Sequence, residues 1–342
     1  THCFSRRSFL KGSAAAAAVL SSPLLPADAA FSETENGLFS PVSALCQTQY
    51  GPVKGREGEN GQLCWYGIPY GAAPTGESRW TAPQEPACWL TVRDCTSPAP
   101  AAYQYTTFPL GTEDCLTLDI YSSAEAKKRP VLVYLHGSAA TGSSLELPGS
   151  ELVRDAGCVF VALNYRLGLF GWNCLPALTA DPDATGNFAL LDIARALDWV
   201  RDNIRRFGGD ADNITIMGQS AGAMSVQQLC LSPLTEGLFA KAVMSSGGGV
   251  SKMLTAKPAA EQYGFWNAVM EKAGCADLDT FRKLPAAELF TAWQAAKKEC
   301  KNSMSANGPV QDGVFICKPA TEVIAAGEQR HIPYLIGMTS QD

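Results

Sequence analysis

Five short stretches downstream of residue 130 carry apolar and β-branched residues with no polar alternation: VLVYLH (131–136), CVFVALNY (158–165), NITIMG (213–218), KAVMSSG (241–247) and IPYLIGM (332–338). An unbroken run of this kind has no polar face to turn to water, so it predicts a strand covered on both sides. The stretches between them have the helical period. The clearest spans Asn187 to Phe207, where Phe188, Leu191, Ala194, Leu197, Val200, Ile204 and Phe207 recur three or four apart and Gly208 follows as a stop. Upstream of about Tyr121 the texture is Gly, Pro and short apolar runs, which predict antiparallel strands and loops. Strands alternating with helices indicate an α/β class, with a mostly parallel central sheet and helices on both faces. No repeat, linker or charge run divides residues 30–342, so they are expected to form one domain.

The first residues follow none of these patterns. Ser5-Arg6-Arg7-Ser8-Phe9-Leu10-Lys11 is a paired-arginine start, an alanine-rich apolar stretch runs from Gly12 to about Leu25, and Ala27-Asp28-Ala29 offers a small-residue cleavage site. Residues 1–29 therefore read as a bacterial twin-arginine export signal, which makes the export machinery a partner and the periplasm or extracellular space the destination. The apolar stretch is shorter than the ~20 residues a bilayer span needs, so no stable membrane anchor is expected.

Composition changes this picture little. A chain of 342 residues that is 46% hydrophobic can bury a large core. The formal charge is −6; loss of Arg6, Arg7, Lys11 and Asp28 with the signal moves it to −8. No block of Lys/Arg stands out beyond the N-terminus, which argues against a nucleic-acid partner. There are twelve cysteines, and Cys3 lies in the signal, leaving an odd number. No C-x-x-C occurs, so neither a zinc ribbon nor a thioredoxin-type site is expected. Cys88 and Cys95 are a possible local disulfide, against the alternative of buried free thiols.

The chemistry concentrates at Gly218-Gln219-Ser220-Ala221-Gly222, where the apolar ITIM run ends and a helical AMSVQQLC begins. A serine hydroxyl is a poor nucleophile until a base takes its proton and donors stabilise the oxyanion that results. Strand, G-x-S-x-G, helix supplies part of this by geometry. The tight turn projects the serine oxygen from the sheet top, the glycines leave room for crowded backbone, and the new helix directs free N–H groups at developing negative charge.

That stretch resembles the serine signature of the type-B carboxylesterases, the cholinesterase-like and para-nitrobenzyl esterase-like α/β-hydrolases. Glu113-Asp114-Cys115-Leu116-Thr117-Leu118-Asp119-Ile120 matches the second signature of that family. Further family-like blocks follow in order: GIPYG (67–71), RWTAP (79–83), LHG (135–137), LNYRLGLFG (163–171), GNFALLD (186–192) and GPVQDGVF (308–315). The resemblance covers essentially all of residues 48–342. It implies an α/β-hydrolase fold and a serine ester hydrolase that acts on small-molecule esters through an acyl-enzyme, with no metal or cofactor. Ser220 would be the nucleophile. Ala221 and the Gly137, Ser138 and Ala139 loop would form the oxyanion hole, with Ser138 and Ala139 as donors beside Ala221. Ser138 and Ala139 stand where the family usually has glycine, and a left-handed backbone at either would cost ~1 kcal/mol or more. Asn164, Tyr165 and Arg166 would lock a strand end, Asp192 and Asp312 would be structural, Cys115 a free thiol, and Ser246 at most a support beside the triad.

Triad order in this fold is serine, acid, histidine. Leu335-Ile336-Gly337-Met338-Thr339-Ser340-Gln341-Asp342 aligns so that Asp342 falls on the acid position, where the family normally has Glu. The chain's histidines are His2, His136 and His331. His2 lies in the signal, His136 in the oxyanion loop, and His331 about 20 Å away at the other end of a strand. The base of Ser220 is therefore expected beyond residue 342, with the final strand or strands. On that expectation residues 30–342 are a truncated domain, inactive alone. A catalytically silent binding domain on the same fold and a nonfunctional gene fragment are the alternatives.

Overall fold

The computed structural model describes residues 42–58, 61–105, 108–147, 149–180, 186–250, 255–300 and 308–340. The expected signal over 1–29 and the acid at Asp342 lie outside the described residues. Among those described, the largest sheet has eight strands: β1 Arg56–Glu57, β2 Gln62–Pro69, β3 Thr117–Ser123, β4 Arg129–Leu135, β5 Val159–Leu163, β6 Gly209–Gln219, β7 Lys241–Ser245 and β8 Tyr334–Gly337. Their order across the sheet is β8-β7-β6-β4-β5-β3-β2-β1. From β8 to β5 every neighbour is parallel, and from β5 to β1 every neighbour is antiparallel. All five unbroken apolar runs are strands of the parallel part. The Gly/Pro-rich upstream region forms the antiparallel part and a separate three-stranded sheet of Leu45–Gln47, Pro52–Lys54 and Arg93–Asp94.

The absence of alternation in those runs follows from the layers on either side. In β4, Val131, Val133 and Leu135 belong to one buried cluster and Tyr134 to a second. The first cluster takes in helix α2 (Phe188–Asn203) and helix α3 (Ala221–Leu231). The second takes in Val153 of α1 (Gly149–Ala156). Successive side chains of a strand point to opposite faces, so a sheet covered on both faces needs apolar residues at every position. The exception is β8. Its residues are exposed, Leu335 by 66% and Ile336 by 67%, because no described element covers that edge of the sheet.

Helix α2 follows its apolar period to Asn203, tightens into a 3₁₀ turn at Ile204–Phe207 and stops at Gly208, whose φ of 83° is the left-handed conformation that glycine tolerates. Asn187 precedes the helix but does not cap it. Its amide instead donates to the Val310 carbonyl at 2.8 Å and to Asp312 Oδ2 at 2.6 Å, and its Oδ1 accepts from Val310 N–H.

The blocks that carried the resemblance hold one another in place. Arg79 makes a two-pronged ion pair with Glu113 at 2.6 and 2.7 Å. The Tyr70 hydroxyl donates to the Asn164 carbonyl, and Gly67 N–H donates to Asp119 Oδ1. Arg166 grips Asp192 through Nε and Nη2 at 2.8 and 2.6 Å, both side chains fully buried. Asp312 Oδ1 accepts the N–H groups of Val314, Phe315 and Ile316.

The cysteines decide between the two readings left open for Cys88 and Cys95. Cys88 and Cys95 are both free: Cys95 is buried, its backbone tied to Lys54 and Tyr66, while Cys88 is exposed. Cys115 is a buried free thiol, as expected. Burial pushes the thiols of Cys46, Cys95, Cys174 and Cys230 up to about 12.

Candidate active site

Strands β4, β6, β7 and β8 end level with one another. Gly218 is opposite Leu135 on one side and Met244 on the other, and Ser245 is opposite Gly337. Ser220 follows β6 at this carboxyl edge, where crevices of open α/β sheets form. Its φ of 53° and ψ of −122° lie outside the regions that a residue with a Cβ prefers, which costs ~1–3 kcal/mol. The surroundings enforce it. Ser220 N–H donates to Ser245 O at 3.0 Å, and Ser220 O accepts Met224 N–H at 3.0 Å as α3 begins.

The two glycines of the motif are required by contact. A Cβ on Gly218 would lie 2.3 Å from the Gly222 carbonyl carbon, and one on Gly222 would lie 2.2 Å from Leu135 O. Gly247 is equally confined, 2.3 Å from Ser220 O. With the backbone packed this closely, Ser220 remains exposed at the tip of the bend.

The loop after β4 passes beside this bend. Ser138 has a φ of 59°, the left-handed conformation that made its departure from glycine a concern. Its own side chain compensates: Oγ accepts the N–H groups of Ala140 and Thr141 at 3.3 and 3.2 Å, closing a local turn. Gly137 N–H is engaged by Glu146 Oε1 at 3.4 Å, which also accepts the Tyr134 hydroxyl at 2.7 Å. A Cβ on Gly137 would meet Gln219 Oε1 at 3.1 Å. The N–H groups of Ser138 and Ala139 make no hydrogen bond among the described residues. Ala221 N–H, at the first position of α3, has no partner within its own helix. Gly168 N–H and Trp172 Nε1 both donate to Ala139 O, at 2.8 and 3.1 Å, and fix the loop from behind. Sequence reasoning named Ser138, Ala139 and Ala221. It missed Glu146, which belongs to no motif, and the contact made by Gln219, which the serine motif carries only as a variable position.

Neither described histidine is paired with Ser220. His136 is buried, its ring stacked on Tyr165 at 4.4 Å and 6°, with Nδ1 2.9 Å from Gly137 O. A carbonyl only accepts, so Nδ1 carries the proton. Burial lowers the pKa of the ring and keeps it neutral. Tyr165 also donates its hydroxyl to His136 O at 2.9 Å, which makes this pair a support under the loop. His331 is exposed and precedes β8, whose last residue, Gly337, is the one level with Ser245. Six residues of extended chain put it about 20 Å from the serine end.

Comparison with known proteins gives the family and the fold. The profile of the Carboxylesterase family matches residues 42–342. The chain belongs to the carboxylesterase family. It is 37% identical over 315 residues to the para-nitrobenzyl esterase of Bacillus subtilis (strain 168), a match covering 87% of this chain and 63% of that protein. It is 34% identical over 305 residues to the fumonisin B1 esterase of Sphingopyxis macrogoltabida, covering 85% and 54%. Among solved structures, a Geobacillus stearothermophilus carboxylesterase superposes with a TM-score of 0.79 at 36% identity, covering 88% of this chain and 62% of that one. The fold is thus the α/β-hydrolase fold, and the chain spans a little over half to under two thirds of the length of these relatives. Residues 3–22 match the twin-arginine translocation signal, which directs export, and no helix among the described residues is long and apolar enough to cross a membrane.

Proposed function

We propose that the gene product carrying this chain is an exported serine hydrolase of carboxylic esters. One observation carries the reading: a solvent-exposed serine held in a strained conformation at a strand-to-helix bend, beside three backbone N–H groups without partners. The names of these three relatives, each an esterase, support the substrate class.

The steps follow from the residues. Ser220 Oγ attacks the ester carbonyl carbon while a histidine takes its proton, and the N–H groups of Ser138, Ala139 and Ala221 receive the negative charge that forms on oxygen. Gly137, with its N–H held by Glu146, contributes room and no charge. The histidine returns the proton to the departing alcohol; water then cleaves the acyl-enzyme and restores the serine. Asp342 is the acid proposed to orient that histidine, which comes from outside residues 42–340. The reaction calls for no metal or cofactor.

The experiment compares the gene product read to its stop codon with residues 30–342 alone, using p-nitrophenyl acetate and a fluorophosphonate probe. Turnover and labelling by the longer protein, both abolished by Ser220→Ala, are expected, with negligible turnover by residues 30–342. A longer protein that neither turns over esters nor labels would leave a silent binding domain as the reading. Ordinary turnover by residues 30–342 would overturn the assignment of the base.

A further inference from the structure

An open cavity of about 160 Å³ lies beside the loop that carries Ser138 and Ala139. Separate parts of the chain wall it. Tyr105, Ala140 and the turn around Gly168 form one side. The other is helix α5 (Ala286–Glu299), which contributes Phe290, Trp293 and Lys297; helix α4 (Tyr263–Lys272) packs behind it.

The walls mix aromatic rings with polar side chains. The Tyr105 and Phe290 rings stack 4.4 Å apart at 13°, and the Phe290 and Trp293 rings meet at 5.3 Å. Aromatic groups in such number usually close on one another in a core. Here Tyr105 is 38% exposed and the space between the rings and the loop stays open.

One polar feature gives the cavity a sign. The Lys297 ammonium sits 4.4 Å over the Trp293 ring, and no carboxylate among the described residues pairs with it. A site with a spare cation is complementary to a ligand that brings an anionic acceptor.

The cavity is also tied to the reacting centre. Ala140, on its wall, is the residue after Ala139 and donates its N–H to Ser138 Oγ. Gly168, also on the wall, donates its N–H to Ala139 O. The cavity thus shares a loop with two of the N–H groups placed beside Ser220.

We propose that this cavity receives the non-reacting end of the ester, and that this end is an aryl group bearing a carboxylate, the ring against Phe290 and the carboxylate at Lys297. The inference rests on the reading of Ser220 as the acyl-transfer nucleophile. A volume of ~150 Å³ is enough for one benzene-sized ring, and the cavity's 160 Å³ admits it.

The test measures binding by calorimetry to the gene product read to its stop codon, with 3-phenylpropanoate and the neutral 3-phenylpropan-1-ol as probes. The carboxylate is expected to bind about tenfold more tightly than the alcohol. Lys297→Met, which keeps the apolar stem, should abolish that preference while leaving alcohol binding and the melting temperature in place; Phe290→Ala should weaken both ligands. Equal binding of the two probes, or a preference that survives Lys297→Met, overturns the proposal. Saturating 3-phenylpropanoate should also slow fluorophosphonate labelling of Ser220, and labelling unaffected by the bound probe overturns it too. Binding needs no turnover, so a protein that binds the carboxylate through Lys297 but hydrolyses no ester would refute the esterase reading and leave only the aryl carboxylate site standing.

Discussion

At the scale of single residues, two positions hold conformations or charges that ordinary proteins avoid. Ser138 combines a left-handed backbone with a hydroxyl that caps the two amides following it. Glycine there would relieve ~1 kcal/mol of backbone strain but lose the cap; alanine would keep the strain and lose the cap as well. Ser138→Ala should therefore melt below Ser138→Gly by the equivalent of about 1 kcal/mol, and equal melting temperatures would mean that the strain is not there. Asp119 is the second case. Burial pushes its carboxyl up to about 6, against the hydrogen bonds it accepts from Ser144 Oγ and Gly67 N–H. A carboxyl with a raised folded pKa holds its proton more tightly in the native state. Its contribution is full below the ordinary carboxylate value, near 4, and is lost as pH rises through about 6. The amount is up to about 3 kcal/mol. Asp119→Asn removes the titration, so its stability relative to the parent should rise between pH 4 and pH 7 in urea unfolding. A constant difference across that range would show that Asp119 titrates normally. Asp312, also raised to about 6 by burial, adds to the slope of both proteins equally and cancels from the comparison.

At the scale of elements, what the sequence revealed and what it hid divide along a physical line. Strands β4 to β7, helix α2 and the bend at Ser220 were legible, because periodicity and glycine spacing are local consequences of which faces are covered and where backbone crowds. The supports of the oxyanion loop were not. Glu146 reaches Gly137 from a loop nine residues on, and Gly168 and Trp172 reach Ala139 O from about thirty residues on. Contacts of that kind leave no period. The choice between a Cys88–Cys95 disulfide and free thiols stayed open for a similar reason: closeness in sequence said nothing about one side chain facing the core and the other facing water. The LNYRLGLFG block shows the same dependence on distant partners. Arg166 is buried and held by Asp192 of α2, and two residues later Gly168 supports Ala139. Asp192→Ala leaves a buried guanidinium with no countercharge, so a loss of ~3–5 kcal/mol is expected in chemical unfolding. If the protein remains folded, fluorophosphonate labelling of Ser220 should also slow, because the segment behind the oxyanion loop loses its anchor. A loss under 1 kcal/mol would mean that Arg166 finds water or another acceptor.

At the scale of the whole molecule, one edge of the main sheet is built unlike the rest. Strands β2 to β5 have side chains buried on both faces, whereas β8 pairs with β7 on one side and presents Leu335 and Ile336 to solvent. Consecutive residues of a strand point in opposite directions, so exposure of both means that neither face of β8 is covered, and Met338 just beyond is 74% exposed as well. Unpaired backbone groups along an apolar strand make a template for the same strand of another molecule. Among the described residues none of the usual protections is present within Tyr334–Gly337: the strand holds no charge, no proline and no bulge. Residues 30–342 should accordingly self-associate at micromolar concentration. The combined substitution Leu335→Lys and Ile336→Lys places a charge on each face of the strand and leaves its pairing with β7 intact, so it should keep the chain dispersed with little change in far-ultraviolet circular dichroism. Light scattering decides between the outcomes. A parent chain that stays monomeric, or a double-lysine variant that associates equally, would show that β8 is not the adhesive edge.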